Sequence, residues 1–227
     1  VSTRQNKTTG AARADVPARA SVAAWATLLG VTLVGLVIDL WTKAAAFARI
    51  APDPVVVRRS DVLSVPDLAV LIPPHDPVVV MPRVLELTLV LNPGAVFGIG
   101  SGKRWVFIVF TLGAMALCVG LFGWMTAARD RWSHVAFGLV LAGGLGNLYD
   151  RLVFACVRDF LHPLAGVPLP FGLRWPGGST DLWPYVSNVA DAFLIVGIGI
   201  LMGVSLFRRP EGAAALTPDG QDPTAAR

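Results

Sequence analysis

The stretch that decides the fold is VFIVFTLGAMALCVGLFGWMTAA, residues 106–128, which carries no charge between Arg104 and Arg129. A helix rising about 1.5 Å per residue needs about 20 such residues to cross the hydrocarbon of a bilayer, and this run supplies them. Read at the same spacing, three more apolar segments qualify, giving spans at about 22–48, 105–128, 134–154 and 188–207. The pattern predicts an all-α membrane protein of four transmembrane helices. The rest of the chain predicts a small β-rich cap and a Pro-rich loop outside the membrane.

Composition agrees with that class. Of 227 residues 54% are hydrophobic and only 15% are charged, too apolar a balance for an ordinary soluble domain. The net charge of +4 is small, and the basic residues gather in tails and short loops, which points to membrane orientation and not to nucleic acid. The N-terminal tail holds Arg4, Lys7, Arg13 and Arg19 against Asp15, the loop between spans two and three holds Arg129 and Arg131, and Arg208 and Arg209 follow span four. With four spans these regions share one side, the cytoplasm by the positive-inside rule, and both termini lie there. Loops 49–104 and 155–187 then face outward. Tails 1–20 and 208–227 are polar or rich in Pro, Gly and Ala and are expected to be disordered. Span one has a basic flank and Ala44–Ala46 beyond it, as a cleaved signal would. Its core is longer than such a signal needs, and Asp39 and Lys43 intervene, so it is expected to remain as a span.

In the first outer loop, residues 84–91 read as a strand followed by a turn at Asn92-Pro93-Gly94, with Val55–Val57 and Val78–Val80 as further strand candidates. Such a sheet either offers backbone groups to an extended peptide or simply covers the bundle. The second outer loop contains Pro163, Pro168, Pro170, Pro176 and Pro184, which forbid a long helix; Trp175, Trp183 and Tyr185 are candidate interfacial anchors. Cys118 and Cys156 fall at different depths and are expected as free thiols. The glycines of Gly143-Gly144-Leu145-Gly146 and the pair Gly199 and Gly203 read as helix-packing positions.

The polar residues of the spans concentrate at one face. Asp39, Lys43, Asn147, Asp150, Arg151, Asp159, Asn188 and Asp191 all fall at outer helix ends. Carboxylates at the edge of hydrocarbon are costly and mark candidate functional sites. Taken singly, each has a plain structural reading. Asp39 and Lys43 make an i,i+4 pair. Asp150 and Arg151 neutralise each other at the interface, or Arg151 pairs with a carboxylate or binds a lipid headgroup phosphate. Asn188 caps span four and Asp191 favours its dipole. Together, Asp159 and Asp191 form the minimum equipment of an aspartic protease if they meet. No histidine or cysteine spacing suits zinc, so neither metal nor cofactor is expected. A transporter using the same carboxylates would carry charge to mid-membrane or show an internal repeat, and neither is seen. A non-catalytic assembly protein would tolerate Asn at 159 and 191.

Five blocks in order resemble the lipoprotein signal peptidase (signal peptidase II) family of bacterial membrane aspartic peptidases. They are Asp39-Leu-Trp-Thr-Lys43, Asn92-Pro-Gly-Ala-Val-Phe-Gly98, the run from Gly143 to Arg151, Val157-Arg-Asp-Phe160 and Asn188-Val-Ala-Asp191. The resemblance covers about residues 22–207. It implies that Asp159 and Asp191 are the catalytic pair and that Asn92, Gly94, Asn147, Arg151 and Asn188 support the pair or the substrate. It implies structural roles for Asp39, Lys43 and Asp150. The implied substrate is a prolipoprotein bearing diacylglyceryl on a cysteine, cut just before that cysteine by a monomer in the inner membrane, in contact with lipid. Val96 replaces the family's alanine, and residues 50–83 and the segment between the aspartates are extended, which bears on lid shape and substrate preference.

Overall fold

The computed structural model describes residues 16–94, 104–175 and 177–207. Five α-helices and a three-stranded sheet are found there. Helices α1 (Val22–Arg49), α3 (Arg104–Met125), α4 (Arg131–Val153) and α5 (Val189–Phe207) are long, and α2 (Arg59–Ser64) is a short turn in the segment between α1 and α3. Strands β1 (Val78–Met81), β2 (Leu85–Asn92) and β3 (Val157–Pro163) form an antiparallel sheet in the order β1-β2-β3.

Three helices, α1, α3 and α5, are long and apolar enough to cross a membrane. The expected fourth, α4, is helical over the predicted stretch but does not meet that standard of apolarity. Its position in the bundle accounts for this. It packs against α1, α3 and α5, so its side chains face protein and have no need to be lipid-like. Small residues on α4 make those contacts close. A Cβ on Gly143 would stand 2.3 Å from the Ala190 carbonyl oxygen, and one on Gly146 would stand 2.2 Å from Asp39 Oδ2. Gly199 and Gly203 behave otherwise: a Cβ on either meets no described atom within 4 Å, so the packing expected of that pair is absent among the described residues.

Local chemistry fixes the helix ends. Ser21 caps α1 by accepting from Ala24 N (3.2 Å), and Asp130 caps α4 through Ser133 N (3.2 Å) and Ser133 Oγ (2.6 Å). Ala155, with φ 66°, adopts the left-handed conformation just past α4 and turns the chain into β3.

Two expectations, the strand at 55–57 and the disorder of 16–20, are corrected. Residues 55–57 form no strand; they run over the bundle, with Val55 N donating to the Phe47 carbonyl at 2.8 Å. In the Pro-rich segment no α-helix forms among the described residues, and its first residues form β3, which pairs with β2 in the register Val90↔Asp159 and Asn92↔Val157. Residues 16–20, expected to be disordered, instead dock on the α3–α4 turn. Ala18 is fully buried, and its N–H donates to the Thr126 carbonyl at 2.7 Å. Apolar burial explains this, since Ala18, Ala24, Leu28, Cys118, Phe122, Phe137 and Leu141 form one cluster. The expected disorder of 1–15 and 208–227, and the substitution at Val96, fall outside the described residues. Both cysteines are free and buried, and burial pushes the Cys156 thiol up to about 12.

Candidate active site

Four elements converge beneath the sheet: the C-terminal ends of α1 and α4, the start of α5, and the β2–β3 pair. Asp159 sits on β3, buried to 2% exposure. Register places it opposite Val90, two residues before Asn92. Asn92 Nδ2 donates to Asp159 Oδ2 at 3.0 Å, while the Gly94 N–H donates to Asn92 Oδ1 at 2.9 Å and so fixes which end of the amide faces the acid. Gly94 has φ 95°, and a Cβ there would meet Phe107 at 2.9 Å, so the turn needs a glycine twice over.

Asp191 opens α5. Its backbone N–H donates to Asn188 Oδ1 (3.1 Å), and Asn188 N donates back to Asp191 Oδ2 (3.2 Å), a reciprocal cap. The same Asn188 also donates from Nδ2 to Asp159 Oδ1 at 2.6 Å. One buried asparagine therefore holds both aspartates. Asn147 on α4 completes the bridge, donating from Nδ2 to Asp191 Oδ1 (2.7 Å) and accepting at Oδ1 from Asn188 Nδ2 (3.1 Å) and Lys43 Nζ (3.1 Å).

Behind this layer is a fully buried ionic cluster. Lys43 Nζ lies 2.8 Å from Asp39 and 3.5 Å from Asp150. Asp39 Oδ1 accepts from Ala190 N at 2.9 Å, tying α1 to the first turn of α5. Asp150 does not pair with its neighbour Arg151, as sequence reading allowed. It is held by Arg158, through Nη2 at 2.8 Å, Nε at 3.3 Å and the backbone N–H at 3.0 Å. Sequence reading overlooked Arg158. The signal was its place beside Asp159 in a strand: alternate residues face opposite ways, so Arg158 turns to the cluster's rear while Asp159 faces the front.

Arg151 remains free to face the aspartates. Its Nη1 donates to the Asn147 carbonyl at 3.3 Å, its guanidinium lies over the Phe107 ring at 5.5 Å, and Asp191, Asp159 and Asp150 all attract it. Its buried Nε has no hydrogen-bond partner among the described residues.

The electrostatics of Asp159 follow from this placement. Burial is the largest influence, and the negative charge of Asp191 adds to it; the amides of Asn188 and Asn92 and the charge of Lys43 oppose it. The carboxyl is pushed up to about 7. The arrangement thus combines a carboxyl that keeps its proton near neutral pH with a second carboxylate close enough to influence it.

The ten sequence-predicted residues all fall in or against this site. Asp39, Lys43 and Asp150 lie at the rear, Asn92, Gly94, Asn147 and Asn188 between, and Asp159, Asp191 and Arg151 in front.

Comparison with known proteins places this geometry. The sequence pattern of the family described as Signal peptidase (SPase) II matches residues 31–207. A lipoprotein signal peptidase of Desulfitobacterium hafniense is 37% identical over 125 residues, covering 54% of this chain and 70% of that protein. Another, of Methylobacterium sp. (strain 4-46), is 33% identical over 154 residues, covering 66% of this chain and 82% of that protein. A solved bacterial membrane enzyme shares the fold with a TM-score of 0.53 at 24% identity, covering 80% of this chain and 88% of the other. The matched region holds every residue of the cluster, and the chain belongs to the signal peptidase II family.

Proposed function

We propose that the chain is a membrane aspartic endopeptidase that removes the signal peptide from prolipoproteins carrying diacylglyceryl cysteine, cutting just before that cysteine. Asp159 and Asp191 are its catalytic pair. The observation that carries this reading is Asn188, one buried residue that donates to both carboxyls, from Nδ2 to Asp159 and from its backbone N–H to Asp191, with Asp159 holding its proton to about pH 7.

Two carboxyls held this way share one proton and titrate as a pair. Asp159 enters as the acid and Asp191 as the base. Asp191 takes a proton from a water as its oxygen adds to the scissile carbonyl carbon, and Asp159 gives its proton to the carbonyl oxygen. In the collapse Asp191 returns its proton to the leaving nitrogen as the C–N bond breaks. A hydroxyl of the gem-diol returns its proton to Asp159 as the new carboxyl forms. The free Nε of Arg151 offers a donor to a substrate carbonyl or headgroup phosphate.

Helix α4 is the fourth span. Its 23 residues rise about 35 Å, enough to cross, and its polar residues are shielded by the other three helices. Both termini then lie in the cytoplasm and the site lies at the outer face of the inner membrane. There the acyl chains of the substrate stay in lipid while its peptide reaches water. One chain supplies the full set of proposed site residues, which supports a monomer as the working unit.

The test is cleavage of a diacylglyceryl-modified precursor by the purified protein. Asp159→Asn and Asp191→Asn are each expected to abolish it while leaving the thermal unfolding transition in place. Undiminished cleavage by either folded variant overturns the assignment.

A further inference from the structure

Strand β3 lies at the edge of its sheet, with β2 on one side only. Its other edge is held at two points. Ser187 makes one: the N–H groups of Phe160 and Leu161 both donate to its carbonyl at 2.8 Å, and its own N–H donates to the Leu161 carbonyl at 2.7 Å. The carboxylate of Asp150 makes the other, accepting from the Arg158 backbone N–H at 3.0 Å. The two points stand on either side of Asp159 in the chain. Ser187 leads directly into Asn188 and α5, whereas Asp150 belongs to α4. Asp159 is thus carried by a short piece of strand clamped to α5 after it and to α4 before it.

The clamp to α4 goes beyond one backbone bond. The Arg158 guanidinium donates to the same carboxylate, from Nη2 at 2.8 Å and from Nε at 3.3 Å to each oxygen. Asp150 is fully buried and Arg158 is 9% exposed. The guanidinium also lies 4.2 Å from the centroid of the Phe154 ring, at the C-terminal end of α4. A planar fork bonded along its edge and covered on its face has one orientation. A lysine ammonium, a point charge on a flexible stem, does not reproduce it.

Asp150 stands three residues after Asn147, on the same face of α4. Asn147 Nδ2 donates to Asp191 at 2.7 Å. One turn of one helix therefore holds Asp191 directly and Asp159 through Arg158. The amides of Asn92 and Asn188 aim the Asp159 carboxyl, at 3.0 and 2.6 Å, but the strand that carries it is placed from α4. No hydrogen bond joins the Arg158 side chain to Asp159 or Asp191 among the described residues.

We infer that Arg158 is a positioning residue for the proteolytic reaction: by locking β3 onto α4 through Asp150, it sets the separation of Asp159 from Asp191. The inference rests on the function proposed above, in which these two carboxyls act on one water and one carbonyl. Such a step is sensitive to small displacements, a misplacement of about 1 Å costing about a hundredfold in rate. Arg158 acts behind the pair and does not touch the substrate, so its loss falls on kcat and spares KM.

Arg158→Lys and Arg158→Gln are assayed on the diacylglyceryl-modified precursor, with rates expressed per folded molecule and thermal unfolding followed in parallel. Arg158→Lys keeps the charge and loses the fork. It is expected to lower kcat about tenfold or more, with KM unchanged and the falling limb of the pH profile in place. Arg158→Gln loses the charge as well and is expected to lower kcat about a hundredfold; if it does not fold, Arg158→Lys decides alone. Full kcat in Arg158→Lys overturns the inference, whether the limb stays, as for a residue that serves only as counter-ion to Asp150, or moves. A lower unfolding temperature with kcat per folded molecule intact also overturns it, since Arg158 then supports the fold alone. So does a raised KM with kcat intact, which places Arg158 at the substrate. Failure of the unaltered protein to cut the precursor would instead count against the proposed function.

Discussion

Raising the pH through neutrality bears most directly on the proposed catalytic pair. Burial and the charge of Asp191 move the Asp159 carboxyl from 3.8 to about 7. That is a difference of about three units, so the ionised form is disfavoured by roughly 4 kcal/mol relative to a carboxyl in water. The sign is fixed by the role. An acid must hold its proton before the reaction, and Asp159 does so below about pH 7 and loses it above. The expected profile of kcat/KM in mixed micelles is a plateau on the acid side of neutrality and then a tenfold loss per unit, down to about one hundredth of the plateau near pH 9. Asn92→Ala gives the second half of the test. The Asn92 amide favours ionised Asp159, so removing it is expected to move the falling limb to higher pH. Activity that stays level to about pH 9, or a limb that moves down in Asn92→Ala, refutes the reasoning.

Two further outcomes concern the framework. Gly146→Ala drives a Cβ to 2.2 Å from Asp39 Oδ2 and 3.3 Å from Ala190 Cβ, so it should lower stability by about 2 kcal/mol or more, whereas Gly30→Ala, with open space around it, should change it by less than about 0.5. Thermal unfolding in detergent distinguishes them, and equal transitions would show that the α1–α4–α5 junction is looser than described. Lys43→Met leaves Asp39 without its ion pair in a fully buried place and should cost about 3–5 kcal/mol, partly recovered in Asp39→Asn/Lys43→Met. A loss below about 1 kcal/mol in the single variant would refute a structural role for the pair.

The sequence was most legible where one period ruled. Spans at 22–48 and 105–128 emerge as α1 and α3 because lipid-facing helices carry apolar residues on every side. The face shared by Asp39, Lys43, Asn147 and Asp191 was legible for the same reason: an ionisable residue near lipid must lie at an end or find partners. Pairing was harder. Asp150 stands beside Arg151 in sequence, yet Arg158 holds it, because β3 brings Arg158 back across the end of α4. Strand β3 itself was hidden by the prolines around it, since its partner β2 is distant in sequence and only the register shows that Asp159 lies within reach of Asn92. The docking of residues 16–20 was equally invisible. Their composition is that of a solvated tail, and only the apolar cluster under the α3–α4 turn makes burial of Ala18 favourable.

The charges of the site argue independently for a single shared proton. Asp39, Asp150, Asp159 and Asp191 face Lys43, Arg151 and Arg158, so with every group ionised the cluster carries one excess negative charge. A buried site resists net charge, and one proton held by the aspartate pair makes it neutral. Arg151 is the cation of this set that faces the pair with no ion-pair partner among the described residues, which makes it the place to test the balance. Arg151→Gln adds one to the excess, so the pair is expected to hold its protons more tightly and both limbs of the pH profile to move to higher pH. Arg151→Lys keeps the charge and is expected to keep the limbs, even where altered geometry raises KM. If Arg151→Gln raises KM and leaves both limbs in place, Arg151 acts on the substrate alone, and the neutrality of the site must come from elsewhere.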